Sequence, residues 1–460
     1  LAHVSSACLL VAALGGAALA QAQSASNDSS LTWHGITLYG IVDLGLQYDT
    51  HSAPFSDYFP PGSNSLVQKN DYDSPVGLTP SNLSQSRIGL SGNEPLIGDW
   101  AAVFKFETFF NPQSGDISDG LKSVVLNNGK ALTSQVSGVD TSIAGQLFSG
   151  AAYIGFASPT YGSFTFGRNV TLLADGISKY DPMGAAQAFS VIGFSGTTAG
   201  GGDTEDRRLD QSAKYYAQYG WAHLGAMYQF GSSTGTTNTG YQLQIGASAG
   251  DGSIDAYYFK KYDAIGVSSL SADQVGELAG LCAGTPAQCY SVGNSLSGTI
   301  SDNTTFAVMG DYVFGPVKLY GGYEHIDFNN PNDPLHAGSV VIGGYVLAFV
   351  NNAAYDNEKT LQVYWAGLKY TVVPDVDLVV AYYGYDQNSY ATGKNAGCST
   401  TANGGCSGRE NAASILVDYR LTKRFDVYAG SMWSGVQDGL ANGFLNKDNI
   451  ATTVGLRFKF

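Results

Sequence analysis

The chain has 460 residues, 23 Lys and Arg against 38 Asp and Glu for a formal net charge of −15, and only 13 % charged residues beside 59 Gly, 29 Tyr and 22 Phe. The acidic balance, with no basic stripe, excludes nucleic acid as a partner. Past residue 20 no apolar run approaches the ~20 residues that a membrane-spanning helix needs, so helical crossing is excluded too, and no Pro-rich or charged linker divides the chain.

At the front, Leu9 to Ala20 (LLVAALGGAALA) ends in Ala18-Leu19-Ala20, the small-residue pattern of a secretory signal peptide. The expectation is a signal over 1–20, taking Cys8 with it, and a mature chain over 21–460; the competing reading is a buried helix of the mature protein. No Lys or Arg sits in the expected n-region and the sequence opens on Leu1, which points to a true start further upstream.

In the first strand Leu38, Val42, Leu44 and Leu46 share a face with Gly40, while Tyr39, Asp43 and Gln47 lie opposite. That period of two, apolar on one face, suits a wall between lipid and water. Tight turns are readable at Asn93–Asp99, Ser158–Gly162, Gln218–Trp221, Ala249–Ser253, Gly315 with Pro316, Val373–Asp375 and Leu421–Arg424. Between them run long polar segments at 50–83, 111–147, 169–206, 232–239, 263–302, 327–358, 386–411 and 435–449. Strict alternation of short and long connections predicts an all-β antiparallel transmembrane barrel of about sixteen strands, with turns at the periplasmic rim and loops outside. The sheet must close, because an open edge would leave backbone groups unpaired in lipid.

Further along, Ala222, Leu224, Ala226, Tyr228 and Phe230 are expected to face lipid, and His223, Met227 and Gln229 to face inward, His223 as a passive wall residue. Ile415, Val417 and Tyr419 alternate with Asp418 and Arg420, whereas the pattern over 360–371 leaves the inward face unassigned. The last strand sets Val454, Leu456, Phe458 and Phe460 against Gly455, Arg457 and Lys459. Its apolar face matches that of the first strand, so the two are expected to pair, with Phe460 in an interfacial aromatic girdle.

Cys282 with Cys289, and Cys398 with Cys406, are two close pairs in Gly/Ser/Thr-rich segments. In an oxidising compartment each pair most simply closes a local loop; cross-pairing and free thiols are the alternatives. The spacing does not suit structural zinc, and no oxygen-ligand loop with calcium spacing occurs, so no metal or cofactor is expected.

Five stretches carry a family resemblance: Ile36-Thr-Leu-Tyr-Gly-Ile-Val-Asp43, Ser86-Arg-Ile-Gly-Leu-Ser-Gly-Asn-Glu94, Phe166-Gly-Arg-Asn169, Asp418-Tyr-Arg-Leu-Thr-Lys-Arg424 and Gly455-Leu-Arg-Phe-Lys-Phe460. They resemble, in order and over essentially the whole mature chain, the trimeric general porins of Gram-negative outer membranes, especially the beta-proteobacterial branch. The resemblance implies a homotrimer around three pores, set in outer-membrane lipid and lipopolysaccharide. It also implies that the barrel assembly machinery recognises the terminal Phe460.

In that family the third long loop folds inward and sets acids opposite a ladder of wall arginines. Here this loop is 169–206, with Gly184, Gly193, Gly196 and Gly200 to Gly202 as flexible points. The resemblance nominates Arg87, Arg168 and Arg208, or its neighbour Arg207, as the basic side, and Lys214 joins them by sharing the parity of Arg208. The acidic side is Asp203 and Glu205 first, with Glu107 on the wall; Asp175 and Asp181 are read equally well as solvated loop surface. The alternative for the arginines is plain salt bridging that props the loop against the wall. Such a constriction acts by charge and radius on permeating ions and small solutes, and its sign preference is left open by the count of charges.

Gly231-Ser-Ser-Thr-Gly235 matches G-x-S-x-G literally but has no helical pattern behind it. No H-E-x-x-H, Walker loop or dinucleotide fingerprint occurs, so no enzyme is expected. The expected function is passive diffusion through a water-filled pore. The alternatives are a substrate-specific channel, hinted at by Tyr215 and Tyr216 or Tyr382 and Tyr383, and a non-conducting structural or adhesin barrel.

Overall fold

The structure, a computed structural model, describes residues 31–460 apart from 58, 70, 119–126, 128, 136–145, 193–206, 232–238, 271–294, 335–339, 343–344 and 391–404. The expected signal peptide, the Gly231–Gly235 motif in part, Asp203, Glu205, Cys282, Cys289 and Cys398 therefore lie outside the described residues.

Sixteen long strands form the wall: β1 (Ile36–Asp49), β2 (Arg87–Pro95), β3 (Ala101–Phe109), β4 (Ala151–Ser158), β5 (Gly162–Val170), β6 (Arg208–Tyr219), β7 (Ala222–Gln229) and β8 (Gly240–Ala249) in the first half. The second half is β9 (Gly252–Ser269), β10 (Ser295–Phe314), β11 (Val317–Asn329), β12 (Lys359–Val373), β13 (Val376–Gln387), β14 (Gly408–Arg420), β15 (Phe425–Asp438) and β16 (Asp448–Lys459). Each pairs antiparallel with the next, and β16 pairs with β1 through Val42 opposite Phe458, Leu44 opposite Leu456 and Leu46 opposite Val454. The barrel closes by the pairing of first and last strands that the sequence predicts. Alternation sorts the faces as expected: in β7, Leu224 and Tyr228 are exposed at 39 % and 45 %, whereas His223, Met227 and Gln229 are buried.

All seven tight turns fall where expected. In three of them Gly220, Gly250 and Gly315 have φ of 60°, 57° and 57°, the left-handed conformation that two-residue hairpin turns require and that glycine adopts without strain. Two loop boundaries need correction. The segment 263–302 is not all loop: β9 runs to Ser269 and β10 starts at Ser295, because a bulge between Lys261 and Ala264 resets the ladder. The bulge breaks the alternation, so the sequence loses its period of two where the strands continue. Likewise 327–358 contains a small hairpin, Val340–Ile342 with Tyr345–Asn351, whose second arm pairs in parallel with the start of β10.

The ambiguous face of β12 has a physical cause. Leu361, Val363 and Trp365 point inward and are buried, so both faces of this strand are apolar. They belong to an apolar core inside the barrel that joins the third loop (Leu172, Ile177, Phe189, Ile192) to the inner faces of β7 to β15.

The first loop adds an unexpected element. Val76–Pro80 pairs with the outer half of β1 while β2 pairs with its inner half. Residues 81–86 between them form a buried spur, held because Leu83 and Ser84 donate their N–H groups to the Asp43 carboxylate at 2.9 and 2.8 Å.

Candidate functional site

The third loop begins with a helix, α1 (Leu172–Tyr180), capped by Thr171, whose side chain accepts from Ala174 N–H at 3.1 Å. Two more free N–H groups at its start, on Leu172 and Leu173, reach Gln242 Oε1 at 2.7 and 3.2 Å. Helix α1 buries Leu172, Leu173, Ile177 and Tyr180 against the wall. Past it, successive strands hold the chain: Trp365 Nε1 donates to Tyr180 O (3.0 Å), Tyr385 hydroxyl to Val191 O (2.8 Å) and Ser414 hydroxyl to Phe189 O (2.7 Å). Just before Phe189 it meets the first loop, where Ala188 N–H donates to Asn82 O at 2.9 Å and Gly62 N–H to Gln187 O at 2.8 Å. The described part of the loop thus lines the inner wall from β7 to β15, touches the spur at Ala188 and turns back to β13 at Val191. The inner faces of β1 to β6 carry a separate group of charged residues.

On that side Glu107 gathers Tyr39 hydroxyl at 2.9 Å, Lys105 Nζ at 3.4 Å and an Arg87 Nη at 3.7 Å. Arg208 stacks on the Phe109 ring at 4.5 Å and donates Nε to Gly150 O at 2.6 Å. It is repelled by Arg207, Arg168 and Arg87 and attracted by Glu107, so these groups form one cluster. Arg207, half-buried, donates to Ser178 hydroxyl of α1 at 3.2 Å.

The remaining nominated residues are occupied locally. Arg168, 5 % exposed, is ion-paired with Asp210 and donates to Ser149 O at 3.1 and 2.9 Å. Lys214 pairs with Asp175 at 2.5 Å and donates to Val170 O at 2.8 Å. Asp175 is exposed on α1, as a solvated loop acid should be. Asp181 corrects the expectation of an exposed constriction acid: it is 1 % exposed, and accepts from Tyr383 hydroxyl at 2.5 Å and from the N–H groups of Ala185 (2.7 Å) and Met183 (3.2 Å). Burial holds its carboxyl above the usual range, with those donors pulling it back. It is a knot inside the loop.

Some side chains of the inner wall escaped the sequence reading, and others have partners it did not foresee. Asp210 shares a strand with Arg208 and could have been found by parity. Arg457 and Lys459 face inward as expected, but both are tied to Asp426, at 2.6 and 2.8 Å, and Arg457 also donates to Ser84 hydroxyl at 2.8 Å. His223 is not a passive wall residue. Its Nδ1 lies 3.1 Å from Asp255 Oδ1 and its Nε2 2.9 Å from Ser248 Oγ, the order of contacts in a hydrolase relay. Here the carboxylate is shared with Tyr180, Lys179 and Gln244, so the row acts as a strut under α1. Cys406 is buried and disulfide-bonded. Among the described residues no group of His, Cys, Asp and Glu could hold a metal ion.

Comparison with known proteins agrees with this architecture. The family model described as Gram-negative porin matches residues 6–438. An outer membrane porin protein of Bordetella pertussis is 29 % identical over 189 residues, 40 % of this chain and 39 % of that protein, so this match spans well under half of the relative's length. Outer membrane porin protein 32 of Delftia acidovorans is 24 % identical over 74 % of this chain and 80 % of its own. Among solved structures, the anion-selective porin from Comamonas acidovorans superposes with TM-score 0.58 at 18 % identity, covering 92 % of this chain and 99 % of that one. With a family model matched over residues 6–438 of a chain that folds as a barrel closed by its end strands with a loop laid along its inner wall, the chain belongs to the Gram-negative porin family, and is an outer-membrane diffusion channel with no enzymatic role.

Proposed function

We propose that the narrow zone of this channel favours small anions, and that the protein works as a homotrimer with one pore per subunit. The observation that carries the ion preference is the gathering of Arg87, Lys105 and Arg208 around the carboxylate of Glu107. Of the nominated cations, Arg168 is cancelled by Asp210 and Lys214 by Asp175. Among the described residues Arg87, Lys105 and Arg208 then stand around Glu107, and a cationic lining in a confined aqueous zone raises the local concentration of anions. Asp203 and Glu205, where the loop returns, are the acids that would set the opposing side of the field.

A general passage fits better than a substrate-specific one. Tyr382 is exposed, Tyr383 is consumed in anchoring Asp181 and Tyr215 is bonded to Tyr161 O and Tyr219, which leaves Tyr216 beside the cavity at α1 as one ring of the four and no track. Trimer assembly is supported by likeness to a trimer form of Vibrio cholerae OmpT, at TM-score 0.54. Reversal potential across a planar bilayer in a salt gradient tests the ion preference directly. It should show anion preference in the wild type, moving toward zero in Arg208→Ala and in Arg87→Ala; cation preference in the wild type would overturn the reading.

A further inference from the structure

Lys214 of β6 and Asp175 of α1, paired at 2.5 Å, line a cavity of about 220 Å³ between α1 and the wall. At ~30 Å³ per water molecule the cavity holds a small solute, and it falls short of the ~300 Å³ at which drug-sized pockets begin. It opens to water, because the Asp175 side chain is 57 % exposed and that of Lys179, also on its lining, 41 %. Asp175 and Glu107 both act on the Tyr153 hydroxyl of β4, so the cavity adjoins the charged group of the inner wall.

The cavity is lined by two ion pairs, and their hydrogen-bonding capacity is unequally used. Asp255 of β9 is saturated. His223 Nδ1 of β7 meets its Oδ1 at 3.1 Å across Gly246 of β8, where a Cβ would collide with that oxygen. Gln244 Nε2 donates to the same Oδ1 at 3.0 Å, and Oδ2 takes Tyr180 hydroxyl and Lys179 Nζ. Lys179 in turn directs its three N–H groups to Tyr180 hydroxyl, Ser253 hydroxyl and Asp255. The other pair is open. Lys214 uses two of its three N–H groups, on Asp175 Oδ2 and on Val170 O at 2.8 Å, and among the described residues nothing donates to Asp175 Oδ1.

We propose that the Lys214–Asp175 pair is a subsite for small zwitterionic solutes of the α-amino acid class, which lie against it head to tail, carboxylate on Lys214 Nζ and ammonium on Asp175 Oδ1. Such a solute carries its two charges on groups that share one carbon, about as far apart as the charges of a contact pair, so the opposed dipoles match at both ends. A lone anion or cation is attracted by one end and repelled by the other, and at similar distances the two energies cancel. A neutral polyol brings no charge to either end. The Tyr216 ring on the cavity lining leaves space beside the pair for a short side chain. Because the pair has no net charge, the subsite stands apart from the ion preference proposed above.

The test is the flux of L-serine into vesicles holding the intact protein, measured against concentration at neutral pH with glycerol flux in the same vesicles as reference. Serine flux should level off with half-saturation on the order of 10–100 mM, as contacts in a water-exposed site give, while glycerol flux stays proportional. Glycine should compete with serine, and acetate and methylammonium should not. Asp175→Asn and Lys214→Met should each abolish the plateau. The double exchange of Asp175→Lys with Lys214→Asp rebuilds the pair with its ends reversed and should restore the plateau, because a zwitterion can turn round. Serine flux proportional throughout in the wild type, a plateau shared by glycerol, or competition by acetate or methylammonium as strong as that by glycine would overturn the subsite. So would a plateau that survives Asp175→Asn, or a double variant that passes glycerol and shows none. Cation preference in the reversal potential would overturn the ion preference and leave the subsite standing.

Discussion

Arg168 and Asp210 are ion-paired across a break in the β5–β6 ladder, where Gly167 pairs with Ser212 but Asn169 pairs with Leu209. Phe164 and Phe166 are exposed at 39 % and 41 %, so strict alternation would send Arg168 into lipid with them. The break spares it: Gly167 takes φ +127° and Gln211 φ +49°, and Arg168 is buried beside its partner. An irregularity of one residue is a usual device for re-aiming a side chain.

Gly167→Val should therefore destabilise the barrel by about 1–3 kcal/mol, the usual range for forcing a side chain onto such a backbone. A Cβ at this position would also sit 2.2 Å from Ala152 O. The temperature at which the folded form gives way to the unfolded one on unheated against heated gels measures this, and a wild-type transition would refute it.

Asp210→Asn removes the carboxylate paired with the Arg168 guanidinium, whose side chain is 6 % exposed. Breaking a buried pair from one side costs about 3–5 kcal/mol. In the folded fraction, reversal potential should shift toward stronger anion preference, because one negative charge has been removed next to the Arg208 cluster.

Tyr383→Phe removes the hydroxyl that reaches Asp181 from 202 residues away. Loss of a donor to a buried carboxylate costs about 1–3 kcal/mol, and the cost should fall on the loop alone. Hydrogen exchange of the amides of Met183 and Ala185 should speed up while those of β13 keep wild-type protection; uniform loss of protection would point to the wall instead.

The seam between the first and last loops should depend on pH. Asn446 N–H donates to Asp71 Oδ1 at 3.0 Å and its side chain to Asp71 O at 2.6 Å. Burial pushes the Asp71 carboxyl up from the ordinary 3.8 to about 6, with these backbone donors opposing the rise. A group whose pKa is raised on folding holds its proton more tightly in the folded state. Its contribution is complete below the ordinary value and is lost as pH rises through about 6. Amide exchange around Asp71 and Asn446 should accelerate over that window and then level off, and Asp71→Asn should flatten the profile.

Much of this was legible in the chain itself. Period two, seven tight turns and the matching faces of the end strands gave the barrel, because membrane solvent acts on every wall residue one by one. Parity also placed Arg87 opposite the exposed Ile88, and the inward face of the last strand. What stayed hidden depends on contacts between distant segments. Asp181 looks like any loop acid until Tyr383 arrives beneath it, and His223 looks idle until Gly246 is seen to leave a gap between it and Asp255. The face of β12 was unreadable because the loop, an apolar partner from elsewhere in the sequence, replaces water on its inner side.

The spur at 81–86 links two events that a sequence lists far apart. Its base is held by Asp43 on the first strand, which itself accepts from Tyr428 on β15, its side by Arg457 on β16, and Asn82 within it accepts from Ala188 of the third loop. Until the final strands reach β1, the landing place for that loop is incomplete. Closing the cylinder and finishing the seat of this loop thus draw on the same residues, so a barrel still open along its seam lacks part of that seat.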